Sequence, residues 1–297
     1  MRIALVTCAE ARDHDADLPL LTAALADRGA EVELPHWDDP DVDWSAFTAV
    51  IVRSTWNYTD DPAAFIAWMR DTDGRTMLLN DARQMAWALD KRYMASLARA
   101  GVATVPTVFV APGDPGTDLP AGPVVVKPGV GAGSRDTARH EHHDDARQHI
   151  AALHATGRTA MVQPHMAAVD TEGESGMVHI DGRLSHTIRK GPMLTGDRAV
   201  VGGLFLEEDI RPRTASPAEV MLAQATLSAV PGPTPLYARV DLIPGPAGPL
   251  LLELELVEPS LFVDQAPDAA ARFAGAVMAR TASTSGAATR AGRPSSS

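Results

Sequence analysis

Short apolar runs separated by polar loops open the chain. Ile3 to Thr7 is apolar at successive positions, as a strand buried on both faces would be. Leu18, Leu21 and Leu25 recur at helical spacing up to Arg28, and Gly29 suits the position just past a helix end. Glu31–Leu34 and Thr48–Val52 predict two further strands, and Leu78–Asn80 ends the unit. Strand, helix, strand, strand with short connections predicts a small α/β module with a parallel sheet. Ligands of such sheets collect at the carboxyl ends of the strands.

The pattern then changes. Asp81 to Arg99 predicts one helix carrying Met85, Leu89, Met94 and Leu97, stopped by Gly101. Val105–Val110 and Val124–Val126 predict strands around a Pro/Gly-rich connection at 111–123. A polar stretch from His140 to Asp145 begins a helix running to His154; its crowded histidines read as solvated surface, not as a metal tract. Thr159–Pro164 is a strand. Glu174–Ile180 and Arg183–Arg189 form a hairpin around Asp181-Gly182, and 191–213 reads as a mobile loop. Pro217–Ala229 is a helix capped by Ser216 with Glu219 at N3. Tyr237–Ile243 and Leu250–Leu256 flank a PGPAGP turn as a second hairpin. A last helix, Ala269 to Arg280, precedes a low-complexity tail, 281–297, expected to be disordered.

Composition narrows the class. At 297 residues with 45% hydrophobic and 22% charged positions, the chain can build two or three modules with a sizeable core. A formal net charge of −12 argues against nucleic acid or anionic membrane as a partner, without excluding a locally basic pocket. The single cysteine, Cys8, forbids an intrachain disulfide and suits a reducing compartment. The opening MRIALVTCAE lacks the layout of an export signal, and no apolar run reaches the ~20 residues a membrane helix needs. A cytoplasmic protein is expected, with its oligomeric state unread and a homo-oligomer compatible.

Candidate chemistry lies at three places. Glu253 and Glu255 stand two apart in LLLELELVEPS, so both project from one face of a strand, and the hairpin brings Asp241 beside them. Hard oxygen ligands of this kind suit Mg²⁺ joined to nucleotide phosphates; a half-exposed strand with solvated glutamates is the plainer reading. Val124–Lys127 delivers a lysine into Pro128-Gly129-Val130-Gly131-Ala132-Gly133-Ser134. Glycines let backbone amides approach phosphate oxygens, and the lysine adds a point charge. This is neither a P-loop nor a dinucleotide fingerprint, because the lysine precedes the glycines and no strand-to-helix context follows. At the carboxyl ends of the first strands stand Cys8 and the loop Arg53-Ser54-Thr55-Trp56-Asn57-Tyr58, a mixture suited to a small polar ligand. Helix capping and aromatic packing would account for that loop equally simply. Arg189 and Lys190 end the first hairpin as a second cationic pair.

In this order the elements resemble the ATP-grasp superfamily of carboxylate-amine ligases, over roughly residues 80 to 260. Asn80, Asp90-Lys91 and Val105-Pro106-Thr107 resemble that family's approach to its central domain. VVVKPGVGAGS resembles its lysine strand and phosphate-covering loop, MVQP its adenine hinge, and RVD with LELE its catalytic arginine and magnesium ligands. The resemblance implies an α/β (α+β) ATP-grasp fold: an N-terminal α/β substrate-side domain (1–80), a central lid domain (81–165) and a C-terminal antiparallel-sheet domain (166–280). It implies ATP and Mg²⁺ as cofactors and a small amino-acid-type substrate. Lys91 and Lys127 would bind the α- and β-phosphates, with Gly131, Gly133 and Ser134 closing over the γ-phosphate. Gln163 would meet adenine, and Glu172 or Glu174 the ribose or adenine edge. Asp241, Glu253 and Glu255 would hold Mg²⁺, and Arg239 would stabilise transition-state charge. Many family members carry asparagine where this chain has Glu255. Cys8, Arg53, Ser54, Thr55, Trp56, Asn57, Arg189 and Ser260 would face the substrate.

MRIALVTCAEARDHDADLPLL and VRSTWNYTDDPAAF further resemble a subgroup of small ligases that close the D-cycloserine ring. That resemblance implies O-ureido-D-serine as substrate, activated as an acyl phosphate and attacked by its own oxygen-bound nitrogen. Two other readings stay open: an intermolecular amino-acid or peptide ligase, and a nucleotide-binding regulatory protein without catalysis.

Overall fold

The computed structural model describes residues 1–114, 116, 118–191, 200–201, 205–206 and 209–291. The first module holds β1 (Arg2–Thr7), α1 (Asp17–Ala26), β2 (Glu31–Glu33), β3 (Ala49–Ser54), α2 (Pro62–Arg75) and β4 (Met77–Leu79). Its parallel sheet has the order β2-β1-β3-β4. Every residue of β3 is buried, as its unbroken apolar run requires of a strand covered on both faces. Asp61 caps α2 through the Ala64 N–H, with Pro62 in the first turn.

The helix expected over 81–99 is two: α3 (Ala82–Leu89) and α4 (Tyr93–Arg99). The break falls at Asp90, whose extended backbone ends α3 while its carboxylate accepts from the Arg92 N–H. Local capping overrides the apolar period here, and the interruption carries Lys91. Its N–H donates to the Gly129 carbonyl at 2.8 Å, tying the helix pair to the loop after the lysine strand.

The second sheet is antiparallel, ordered β5-β8-β6-β7, from β5 (Val108–Val110), β6 (Val124–Pro128), β7 (Ala138–His140) and β8 (Ala160–Pro164), with α5 (His143–Ala155) on one face. Val110, Val124, Val126, Ile150, Leu153 and Val162 form a core of their own. The third sheet follows α6 (Val169–Glu172). It contains β9 (Glu174–Ile180), β10 (Arg183–Lys190), β13 (Ile210–Arg213), β14 (Tyr237–Gly245) and β15 (Gly248–Glu255), in the order β13-β10-β9-β14-β15. Two short strands, β11 (Val200–Val201) and β12 (Phe205–Leu206), pair within the connection. Part of the loop expected at 191–213 is therefore strand, and 192–199, 202–204 and 207–208 lie outside the described residues. The capping box at Ser216 and Glu219 forms as the sequence predicts and starts α7 (Pro217–Ser228). α8 spans Ala269–Ala291, past the Arg280 at which it was expected to stop; its alanine-rich run meets no proline before Pro294. Residues 292–297 of the expected tail lie outside the described residues.

The first and third sheets share their cores. Val50, Val52 and Leu78 pack in one cluster with Val240, Leu254 and Leu256, and Ile3, Leu5 and Ile51 in another with Tyr237, Phe273 and Val277. Asn80 joins them. In the left-handed conformation (φ 55°), it donates to the Tyr237 and Leu256 carbonyls at 2.9 and 2.8 Å and accepts the Leu236 N–H at 2.7 Å. Asparagine tolerates that conformation better than most residues.

His179 on β9 is 2% exposed, and burial lowers its pKa to about 4 despite the Met177 carbonyl facing Nδ1. In the unfolded chain the ring titrates near its ordinary 6.5. The folded state therefore keeps this contribution above pH 6.5 and loses it as pH falls from 6.5 toward 4, by about 3 kcal/mol in full. Urea unfolding at stepped pH checks this. His179→Gln should have a shallower loss of stability than wild type across that window, and equal slopes would remove His179 as the cause.

Candidate functional site

One cavity of about 450 Å³ lies where the three sheets meet. Its carboxylate wall follows from strand register. Arg239 stands directly across from Glu255, and Asp241 across from Glu253, in the β14–β15 ladder. Residues i and i+2 share a face, so the four charged side chains project together. Asp241 is 2% exposed, and Arg239 donates from Nε to its Oδ1 at 2.9 Å and from Nη2 to its Oδ2 at 3.0 Å. Burial alone would raise the Asp241 pKa, but Arg239 and Lys190 outweigh it and hold the carboxyl below its usual range. Glu255 differs: burial dominates and raises its pKa, although Arg239 Nη2 pairs with Oε1.

The opposing wall is cationic. Lys91 Nζ lies 3.0 Å from Glu253 Oε1 and donates to the Gly131 carbonyl at 2.8 Å. Lys127, from β6, lies 3.4 Å from Glu253 Oε2. Each Glu253 oxygen thus takes one lysine. Burial would raise its pKa; the two lysine charges prevail and hold it well below the ordinary carboxylate range. The loop after β6 forms a further wall with Gly131, Gly133 and Ser134, the last two left-handed at φ 61° and 58°.

Lys190, and not its neighbour Arg189, lines this site. Its Nζ lies 2.9 Å from Asp241 Oδ2. Period-2 alternation carried the signal: Lys190 shares a strand face with fully buried Ile188, whereas Arg189 points the other way. Arg189 instead donates from Nε to the Glu172 carbonyl at 2.7 Å, outside the cavity. Gly173 permits that packing, because a Cβ there would come within 2.2 Å of the Lys190 carbonyl. Glu172 is exposed and away from the cavity, while Glu174 lines it. Gln163 also lines it, with its amide donating to Thr107 Oγ1 at 3.0 Å.

Of the expected substrate residues, Trp56 and Ser260 line the cavity and the others do not. Cys8 is buried, and burial raises its thiol pKa, so it packs as an apolar residue. Ser54 Oγ bonds Thr7 Oγ1 at 2.8 Å, and Thr55 is buried. Asn57 accepts from Trp37 Nε1 at 2.7 Å and donates to Glu10 and Asp38. Arg53 is 1% exposed. It donates to the Pro259 carbonyl at 2.6 Å, lies 3.7 Å from Asp17, and sits 5.1 Å from the Tyr237 ring centre. Burial, which a loop pattern cannot reveal, turns Cys8, Arg53, Ser54 and Thr55 away from the cavity, whereas half-buried Asn57 and Arg189 take partners outside it. The first module's face of the cavity is lined instead by His14, Asp15, Asp17, Trp56 and Tyr58.

Among the described residues, no three His, Cys, Asp or Glu side chains form a protein-only metal cage. Magnesium does not need one, since one or two carboxylates plus phosphate and water commonly hold it. Asp241 and Glu253, adjacent across one ladder, fit that donor set.

Cross-strand carboxylates facing paired lysines under a glycine loop, between an α/β module and two antiparallel sheets, define an ATP-grasp ligase fold. D-alanine–D-alanine ligase from Bacillus anthracis shares it at a TM-score of 0.69 and 14% identity, over 96% of this chain and 98% of that one. The crystal structure of D-cycloserine synthetase DcsG matches at a TM-score of 0.85 and 35% identity, over 95% of this chain and 100% of that one. The cycloserine biosynthesis protein DcsG of Streptomyces lavendulae is 38% identical over 298 residues, 94% of this chain and 98% of that protein. The family described as D-cycloserine synthetase DcsG, N-terminal domain, matches residues 3–80. The chain belongs to the DcsG family. No helix among the described residues is long and apolar enough to cross a membrane.

Proposed function

We propose that this protein is an ADP-forming ligase that uses ATP to activate the carboxylate of O-ureido-D-serine and closes the D-cycloserine ring. The observation that carries the reading is the charge arrangement of a single cavity, in which Lys91 and Lys127 meet Glu253 while Lys190 and Arg239 meet Asp241. Cations and carboxylates neutralise one another there, so the lysines would be available to a polyphosphate and the carboxylates to a divalent cation. Lys91, Lys127 and Lys190 would hold phosphate oxygens, with the Gly131, Gly133 and Ser134 loop beside them. Asp241 and Glu253, with Glu255 beside them, would hold Mg²⁺. The ion supplies charge neutralisation between the phosphates. Gln163 and Glu174 border the nucleoside end.

A carboxylate is a poor electrophile. Transfer of the γ-phosphoryl group to it gives an acyl phosphate and ADP, a step that needs positioning and charge neutralisation more than a nucleophilic side chain. Arg239, fixed by Asp241, stabilises the oxyanion that develops when the acyl carbon is attacked. The substrate's oxygen-bound nitrogen attacks that carbon, phosphate leaves, and the five-membered ring closes. Water then removes the carbamoyl group, which ends as ammonia and CO₂. Nucleophile and electrophile in one molecule need only one compact pocket, in keeping with a cavity that runs from the lysines to Trp56 and Tyr58. Cytoplasmic location belongs to the same reading.

The test is product analysis by mass spectrometry with ATP, Mg²⁺ and a panel of serine derivatives. O-ureido-D-serine alone should yield ADP and D-cycloserine. ADP release that requires an added amine would point to intermolecular ligation, and release independent of any carboxylate would sink the ligase reading.

A further inference from the structure

Directly beyond the acidic strand, the segment Val257–Leu261 has no regular structure, yet its backbone is held at every residue. Tyr237 Oη donates to the Val257 carbonyl at 2.8 Å, and Trp56 Nε1 to the Glu258 carbonyl at 3.3 Å. Arg53 Nη2 donates to the Pro259 carbonyl at 2.6 Å, and Arg239 Nη1 to the Ser260 carbonyl at 2.9 Å. The Leu261 N–H donates to Asp17 at 2.5 Å. Five side chains from two modules thus fix a loop whose one ionisable side chain, Glu258, lines the cavity. The Tyr58 hydroxyl faces its carboxyl from the first module. Groups held by packing and outer hydrogen bonds in this way are preorganised for a reaction.

Among the other carboxylates lining the cavity, Asp15 accepts the Asp17 N–H on one oxygen at 2.9 Å and leaves the other without a partner. Asp241, Glu253 and Glu255 are ion-paired, and Asp17 accepts three backbone N–H groups. Asp264 is exposed and accepts from Gln265. Among the described residues, no cation lies within ion-pair distance of Glu258. It lines the cavity between the Tyr58 hydroxyl of the first module and the Glu255 end of the acidic strand.

We propose that Glu258 is the proton acceptor of ring closure. The inference rests on the ring-forming reading above. As the C–N bond forms, the oxygen-bound nitrogen loses its proton to a Glu258 carboxylate oxygen. The bond from the acyl carbon to phosphate oxygen breaks, phosphate departs with that electron pair, and the protonated Glu258 later returns its proton to solvent. Burial, which raises the basicity of a carboxylate, supports the role. Arg53 and Trp56 act through the loop as positioning residues.

The experiment uses the full chain with ATP, Mg²⁺ and O-ureido-D-serine, with and without hydroxylamine. Hydroxylamine is nucleophilic as the neutral amine and intercepts an acyl phosphate as a hydroxamate, so it reports activation without ring closure. Glu258→Gln preserves shape and is expected to lower ring formation by about 10²–10⁴-fold. Hydroxamate formation should fall far less, and Glu258→Asp should recover part of the ring-forming rate. Ring formation by Glu258→Gln within threefold of wild type overturns the proposal. A raised KM with unchanged kcat overturns it too, by making Glu258 a binding group. Equal loss of both readouts overturns it in favour of a role in activation. Wild-type enzyme that gives hydroxamate but no ring from this substrate sinks the ring-forming reading first, and this role with it.

Discussion

Glu253→Gln abolishes turnover while leaving the fold in place. The substitution keeps the side chain's shape and removes its charge. Two lysines, at 3.0 and 3.4 Å, lose the carboxylate that places them, and the metal side of the site loses an anionic oxygen ligand. Both losses fall on phosphoryl transfer, where catalysis is positioning and charge neutralisation. Removing a single preorganised electrostatic group commonly costs 10²–10³ in rate. With two functions on one carboxylate, the expected fall in kcat is at least about 10³-fold. Stability falls as well, because two buried lysines lose their counter-charge, but the fold holds, since the side chain is partly solvated and Lys91 keeps the Gly131 carbonyl. Coupled ADP-release assays with parallel thermal melts measure this. Wild-type turnover in the variant would remove Glu253 from the site.

Asp17→Ala is expected to destabilise the protein by about 3–5 kcal/mol, the range for removing one partner of a buried charge pair. The Asp17 carboxylate accepts the N–H groups of Leu261, Phe262 and Val263 at 2.5, 3.2 and 2.9 Å. It also lies 3.7 Å from the buried Arg53 guanidinium, two of whose nitrogens have no hydrogen-bond partner. Without Asp17, three buried amides lose their acceptor and the Arg53 cation keeps only Asp15 as a neighbouring carboxylate. Urea denaturation of both proteins at pH 7.5 checks the size. A difference below about 1 kcal/mol would mean that the first module and the 257–263 segment are coupled by packing alone. Asp17→Asn, which still accepts hydrogen bonds, should fall between the two.

Elements with strong local signals were legible. The Asp181-Gly182 turn, the Ser216–Glu219 capping box and the LELE alternation depend on neighbours close in sequence, and the structure forms each one. The lysine before the glycine loop lines the cavity for the same reason: a strand that ends at Pro128 sets where Lys127 points. The reading weakened where burial depended on distant chain. Arg53 and Asn57 have the chemistry of substrate contacts, yet one is enclosed against Tyr237 and the other faces Trp37. Glu258 sits in a stretch with no periodicity, so its orientation could not be inferred from spacing.

Pattern and composition alone determined a parallel-sheet α/β module, two hairpins further along the chain, a lysine and glycine loop suited to phosphates, and a same-face pair of acids. Those conclusions rest on backbone periodicity and turn chemistry, which act over a few residues. Tertiary structure decided which cation meets which carboxylate, selecting Lys190 over Arg189 because only one face of β10 looks into the cavity. It also turned the first module's polar loop from a presumed substrate surface into a brace for Val257–Leu261. Contacts spanning some two hundred residues make that difference, and no local pattern encodes them.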